Sequence, residues 1–220
     1  MTVTIERPTT SLSIMDGHKL PYHMDRVEAW RRGEHIAPVT IDMALTRKCD
    51  AACSFCYAML QENDRHEMTW PVLSDFLDDA AEIGVRAISL LSDGESLLSR
   101  HWVPFVQKCK SLGMDVAAGS NCHTLTPSRQ EESLPYLSYI RINCPAGTEQ
   151  RYCEIMGVQP KFFQQVLANI RNMVEIKKRD NLPVQLVLQM VCLPQDVDQV
   201  IPFVKLGKDL GVEACTIKHV

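Results

Sequence analysis

A chain of 220 residues with 45% apolar content holds enough hydrophobic mass for one globular domain with its own core. Its 23 basic and 27 acidic side chains leave a net charge of −4, which excludes a basic field recruiting nucleic acid, and no apolar run approaches the length of a membrane span. Nine cysteines are an odd count, and no charged-then-apolar signal segment opens the sequence, so a disulfide framework is disfavoured and a reducing, cytoplasmic setting is expected.

Residues 1–36 lack any regular rhythm and read as an N-terminal extension, with a short amphipathic helix at Met24 to Arg32 packed against the bottom of the next domain, residues 37–220. From there short apolar strands, near 38–45, 85–91, 114–119, 137–143, 184–191 and 213–218, alternate with longer amphipathic stretches. Val72, Leu73, Phe76, Leu77 and Ala80 recur at helical spacing in 69–83, after Thr69 and Pro71. In 161–178, Phe163, Val166, Leu167, Ile170, Met173 and Val174 do the same. Gly84, Gly113 and Gly211 each stop a helix just before a strand. Repeated strand-helix units predict a parallel sheet covered by helices. Lys108, Lys110, Lys177, Lys178 and Arg179 read as solvated helix ends.

Between the first strand and the first long helix lies the segment Cys49-Asp50-Ala51-Ala52-Cys53-Ser54-Phe55-Cys56. Three thiols this close converge on one metal centre from a single loop, and thiolates hold both iron–sulfur clusters and structural zinc. A closed structural site takes four protein ligands, so three leave one position open for chemistry. Zinc closed by His66 as a fourth ligand is the competing reading, although no second CxxC-like pair is present. Cys109, Cys144, Cys192 and Cys215 sit in apolar surroundings and read as packing residues.

CxxxCxxC followed by an aromatic, here Cys49, Cys53, Cys56 and Tyr57, at the end of a first strand resembles the signature of the radical S-adenosylmethionine (SAM) enzymes. The resemblance implies a partial (β/α)6 TIM-type barrel, in which the three thiolates bind three irons of a 4Fe-4S cluster and the amino and carboxylate groups of SAM chelate the fourth. Phe55 then packs near the adenine. Downstream, Ser92-Asp93-Gly94-Glu95-Ser96 resembles the family's Gly-Gly-Glu-Pro loop, with Gly94 and Glu95 matching outright. The carboxylate of Glu95 would pair with the SAM ammonium, with the backbone of Asp93 and Gly94 alongside. The alternative is an ordinary strand-to-helix turn capped by Ser96 or Ser99.

Parallel α/β folds place their sites at the C-terminal ends of the strands, which nominates further residues. Ser120 and Asn121 follow the third strand, Arg141 and Asn143 end the fourth, Gln189 ends the fifth, and Lys218 with His219 ends the sixth. Each is expected to face SAM or substrate, Asn143 reaching the ribose. The chain stops on the sixth strand without a helix to cover it, and reads as a piece of a longer enzyme or one whose edge a partner covers.

The resemblance implies reductive cleavage of SAM to a 5′-deoxyadenosyl radical that takes hydrogen from a small, natural-product or sugar-like substrate. Electrons would come from a reductant such as flavodoxin or ferredoxin, and neither nucleic acid nor membrane is an expected partner. A peptide-modifying enzyme and a non-catalytic iron–sulfur or zinc module are the alternatives.

Overall fold

The computed structural model describes residues 22–219 except 61, 63 and 92, with the side chain of Met59 also outside the description. The expectations for residues 1–21 and for Ser92 lie outside the described residues.

Six strands form one sheet: β1 (Thr40–Asp42), β2 (Ala87–Leu90), β3 (Asp115–Ser120), β4 (Tyr139–Asn143), β5 (Gln185–Cys192) and β6 (Ala214–His219). They pair in chain order, every pair parallel, with β1 and β6 as the edges. Each of the six lies where the sequence rhythm predicts it. β1 is shorter than expected because the chain leaves the sheet after Met43, whose N–H still reaches Ser89. It then crosses to an antiparallel bridge between Thr46 and Glu67, burying Leu45 completely.

The helices that return the chain are α2 (Trp70–Glu82), α3 (Trp102–Ser111), α4 (Pro127–Ser133), α5 (Glu149–Met156), α6 (Pro160–Asp180) and α7 (Val200–Leu210), preceded by α1 (Met24–Arg31). α2 and α6 match the helical spacing, and each carries proline in its first turn, where the missing N–H costs nothing. Gly84, Gly113 and Gly211 follow their helices with φ of 90°, 75° and 77°, a left-handed backbone in which a side chain is strained. The expected cations occupy the last turns of α3 and α6, Lys178 and Arg179 exposed, and some are paired as well: Lys108 with Asp78 at 2.6 Å, Lys177 with Glu213, and Arg179 with Glu131 and Asp180.

Strand alternation sorts the side chains onto two faces. Ile88, Leu90, Val116, Ala118, Ile140, Ile142, Leu186, Leu188 and Met190 join the apolar cluster shared with the helices. On the opposite face stand Gly119, Tyr139, Arg141, Asn143, Gln189, Thr216 and Lys218, in the register Asn143–Gln189–Thr216 and Val191–Lys218. A lumen with small and polar walls and an outer wall of aliphatic residues is the arrangement of a partial barrel of parallel strands.

α1 buries none of its residues and is tied on by Arg26, whose guanidinium donates to the carbonyls of Ala37 (3.1 Å), Pro38 (2.9 Å) and Gly84. Those acceptors precede β1 and β2, so α1 sits at the N-terminal ends of the strands. At the other edge α7 packs on β6 through Gly207, where an added Cβ would lie 2.2 Å from the sulfur of Cys215. Gly207→Ala is therefore expected to lower unfolding free energy by about 1–3 kcal/mol through overpacking. Adding Cys215→Ala to that variant should recover a large part of the loss, a non-additivity readable by denaturant titration of the two single variants and the double variant.

Candidate active site

The cysteine loop is held from three sides by backbone. Its leading end is fixed to the 65–68 segment by Arg47 N–H to the His66 carbonyl (2.8 Å) and by Thr46 Oγ1 to the same oxygen (3.0 Å). Its middle takes the last carbonyls of α5: Ala52 N–H donates to Met156 (2.9 Å) and Ser54 N–H to Ile155 (2.8 Å). A helix C-terminus leaves such carbonyls without partners, so loop and helix satisfy each other. Gly157, left-handed at φ 64°, ends α5 here, and a Cβ on it would meet Ala52 at 3.0 Å. The third tie runs to the Gly94-Glu95 turn, whose Glu95 N–H donates to Lys48 at 2.7 Å, while a Cβ on Gly94 would lie 2.3 Å from the Thr46 carbonyl.

These ties bring Cys49, Cys53 and Cys56 to one cavity of about 330 Å³. Burial pushes the Cys49 thiol up to about 11 and the Cys53 thiol up to about 12, and each also feels the neighbouring thiols. Thiolates at this spot therefore need a cation to hold them, as a bound metal does. Among the described residues no group of three or more His, Cys, Asp or Glu side chains is placed to hold a single metal ion. One tetrahedral zinc would gather its sulfurs within about 4 Å of each other; a cluster spreads its ligands over several irons, and three thiols around a cavity suit that wider group. His66 does not line the cavity and contributes its carbonyl instead.

Phe55, Tyr57, Gly94, Glu95, Ser120, Asn121, Arg141, Asn143, Gln189 and Lys218, the residues nominated from the sequence, line the same cavity. Asp93 does not: its carboxylate accepts a hydrogen bond from the Tyr57 hydroxyl at 2.9 Å and approaches Arg47 at 3.9 Å. Met156 and Leu91 line it unannounced by any motif, Met156 with its sulfur 3.4 Å from that of Cys53.

Glu95 is 3% exposed and is itself the cap of the 3₁₀ turn Ser96–Leu98, a role that the alternative reading gave to Ser96 or Ser99. Its Oε1 accepts from Leu97 N–H (3.0 Å) and Ser120 Oγ (2.9 Å), and its Oε2 from Asn121 N–H (2.8 Å). Burial raises its carboxyl above the ordinary range against the pull of these donors. A carboxylate offers about four acceptor positions, so one on Oε2 remains. Ser96 instead receives the Leu45 N–H on its hydroxyl (3.3 Å), and Ser99 that of His101 (3.1 Å).

A buried polar chain that sequence reasoning missed runs under the loop. Asp50, next to the first cysteine, accepts from Asn121 Nδ2 at 2.6 Å and faces His123 Nδ1 at 3.4 Å, while His123 Nε2 lies 2.8 Å from the Tyr152 hydroxyl. Burial pushes the Asp50 carboxyl up, but the His123 and Asn121 hydrogen bonds outweigh it and hold it below the usual range. Asn121 is thus committed to bracing the loop. No spacing signal links residues 50, 123 and 152; only the fold joins them.

Across the cavity, Arg141 Nε, Asn143 Oδ1 and Gln189 Oε1 are buried with no hydrogen-bond partner among the described residues. Polar atoms left this way in a cavity wall are groups waiting for a ligand. The donor set of three thiols with no fourth protein ligand among the described residues, and these unpartnered atoms opposite, fit a cluster with an open position and a polar cofactor on it.

The chain matches the family model of the Radical SAM superfamily over residues 43–207, most of its length, and it belongs to that superfamily, whose enzymes use a 4Fe-4S cluster and SAM. Among curated proteins it is similar to the pre-heme d1 synthase of Dinoroseobacter shibae, 24% identical over 180 residues, 80% of this chain and 42% of that protein. In fold it resembles Streptococcus suis SuiB bound to its precursor peptide SuiA (TM-score 0.71, 17% identity, 90% of this chain and 43% of that one). It also resembles anSMEcpe with bound AdoMet (TM-score 0.64, 12% identity, 82% and 50%) and TYW1 with a lysine-pyruvate adduct (0.63, 13%, 83% and 65%). The chain thus spans less than half the length of the curated relative and of SuiB. No described helix is long and apolar enough to cross a membrane.

Replacing Cys49, Cys53 or Cys56 by Ala is expected to abolish the brown absorption and bound iron of anaerobically reconstituted protein. Cys109→Ala and Cys215→Ala, at positions that do not line the cavity, should keep both. Iron and acid-labile sulfide assays read the difference, and colourless protein with stoichiometric zinc would return the site to a closed zinc centre.

Proposed function

We propose that this chain is the catalytic core of a radical SAM enzyme that abstracts hydrogen from a small, natural-product or sugar-like molecule. The observation that carries the reading is the convergence of three thiols, a buried carboxylate with one acceptor position left, and three unpartnered polar atoms on a single cavity. When bound there, the cluster and SAM supply a 5′-deoxyadenosyl radical, and the chemistry is the cofactor's while the protein orients and shields it.

Cys49, Cys53 and Cys56 hold the cluster. Glu95 would take the SAM ammonium on Oε2 while its other acceptor positions stay with Leu97, Ser120 and Asn121, so that capping and binding coexist. Gly94 leaves no side chain between that turn and the loop. Arg141 and Asn143 would hold the carboxylate and the ribose, and Phe55 would pack near the adenine. Leu91, Met156 and Val191 contribute apolar wall, which excludes water from a reactive carbon centre. A flavodoxin or ferredoxin would deliver the electron.

A peptide substrate is the second reading, favoured by the likeness in fold to SuiB, solved with its precursor peptide, and to anSMEcpe, solved with a Kp18Cys peptide.

Incubating reconstituted protein with SAM and dithionite is expected to release 5′-deoxyadenosine, detectable by chromatography; its absence from iron-replete protein would overturn the enzymatic reading. Glu95→Gln should weaken SAM binding tenfold to a hundredfold with iron content unchanged, since a charge-assisted hydrogen bond is worth about 1.5–3 kcal/mol. The same change should lower stability, because the new amide group faces the Asn121 N–H donor. Ser120→Ala, which removes the hydroxyl that donates to Glu95 Oε1 and accepts from Cys122 N–H but leaves the carboxylate in place, separates the two effects: a stability loss with SAM affinity weakened far less than in Glu95→Gln.

A further inference from the structure

Arg141 and Lys218 line one cavity, and neither has a hydrogen bond or an ion pair with another described residue. They stand on the same lumen face of β4 and β6, with Asn143 and Gln189 between them in register. The Arg141 charge, with burial second, pulls the Lys218 ammonium below its ordinary range, so the two cations sense each other. Glu95, the carboxylate lining this cavity, already accepts three hydrogen bonds. Asp42, also on the lumen face, does not line the cavity.

SAM bound through Glu95 and Arg141 does not resolve this charge. It brings one carboxylate, enough for one cation, and two positive centres, its ammonium and its sulfonium. With Arg141 on that carboxylate and the three thiolates engaged by the cluster irons, Lys218, at the open side of the cavity, has no anionic partner among the described residues. An anion from a third molecule restores balance. Gln189, with a free buried Oε1 and an amide that can donate, lies on the strand between them.

We propose that Lys218, beside an Arg141 engaged by SAM, forms an oxyanion subsite for the substrate, so that the molecule acted on carries a carboxylate or a phosphate. This rests on the radical SAM reading of the cavity. Lysine is a point charge that suits either oxyanion without demanding a planar partner. The site lies on the last strand, across the cavity from the cysteine loop, which leaves the space between for the carbon that loses hydrogen.

The test uses the cluster-loaded chain. SAM is first titrated while the electron paramagnetic resonance spectrum of the reduced cluster is recorded. No SAM-dependent change in the unaltered protein would sink the cofactor reading itself, a failure distinct from failure of the subsite. Lys218→Met is expected to keep SAM affinity within twofold; a tenfold loss would assign the lysine to the cofactor and overturn the subsite. SAM-saturated protein is then titrated at constant ionic strength with inorganic phosphate and, separately, with acetate, each titration read by calorimetry. Saturable binding of at least one anion, weakened tenfold or more by Lys218→Met and restored within threefold by Lys218→Arg, supports the proposal, and the preferred anion distinguishes a phosphorylated from a carboxylated substrate. Equal anion affinity in the unaltered and Lys218→Met proteins, or saturable binding of neither anion, overturns it. Unchanged thermal unfolding of both variants ties the outcome to the side chain, since Lys218 is on an exposed stretch of β6.

Discussion

Six strands running the same way in chain order are the constraint on which the rest of the structure depends. Every return helix must bring the chain back to the opposite end of the sheet, so all six C-terminal ends open onto one rim. Residues as distant as Cys49 and Lys218 therefore meet around a single cavity. Alternation within each strand then divides the labour: most aliphatic side chains turn out to the helices, and polar or small ones, with Val191 among them, line the lumen.

The rim alone would not place three thiols. That depends on backbone donors in the cysteine loop taking the terminal carbonyls of α5 and on Glu95 N–H reaching Lys48. Loops at the ends of parallel strands are poorly held by side chains, because their residues are needed for ligands, and main-chain bonds fix them without consuming those residues. The Asp50–His123–Tyr152 chain adds a buried polar brace under the first cysteine. Its two hydrogen bonds, Asn121 to Asp50 and His123 with Tyr152, hold one arrangement, since breaking either leaves further buried polar groups unpaired.

Glu95 shows how one residue serves structure and chemistry together. Its carboxylate closes the turn Ser96–Leu98, ties β3's end through Ser120 and Asn121, and keeps one acceptor position toward the cavity. The serines that local capping rules favour serve other N–H groups: Ser96 satisfies Leu45, and Ser99 satisfies His101. A carboxylate capping a short turn is within the same rules, but choosing it over a serine requires knowing that β3 ends beside it.

The amino-acid sequence by itself determined the strand-helix alternation, the parallel sheet, the cysteine triplet and which strand ends would form the rim. Those features are local: apolar period, helix-stopping glycines and ligand spacing each act over a few residues. Only the tertiary structure decided the early exit of β1 at Met43, the turning of Asp93 toward Tyr57 and away from the cavity, the pairing of Lys177 with Glu213, and the meeting of Asp50 with His123 and Tyr152. Each of these depends on which polar group finds a partner from a distant segment once burial has removed water as the alternative, and no window along the chain contains that information.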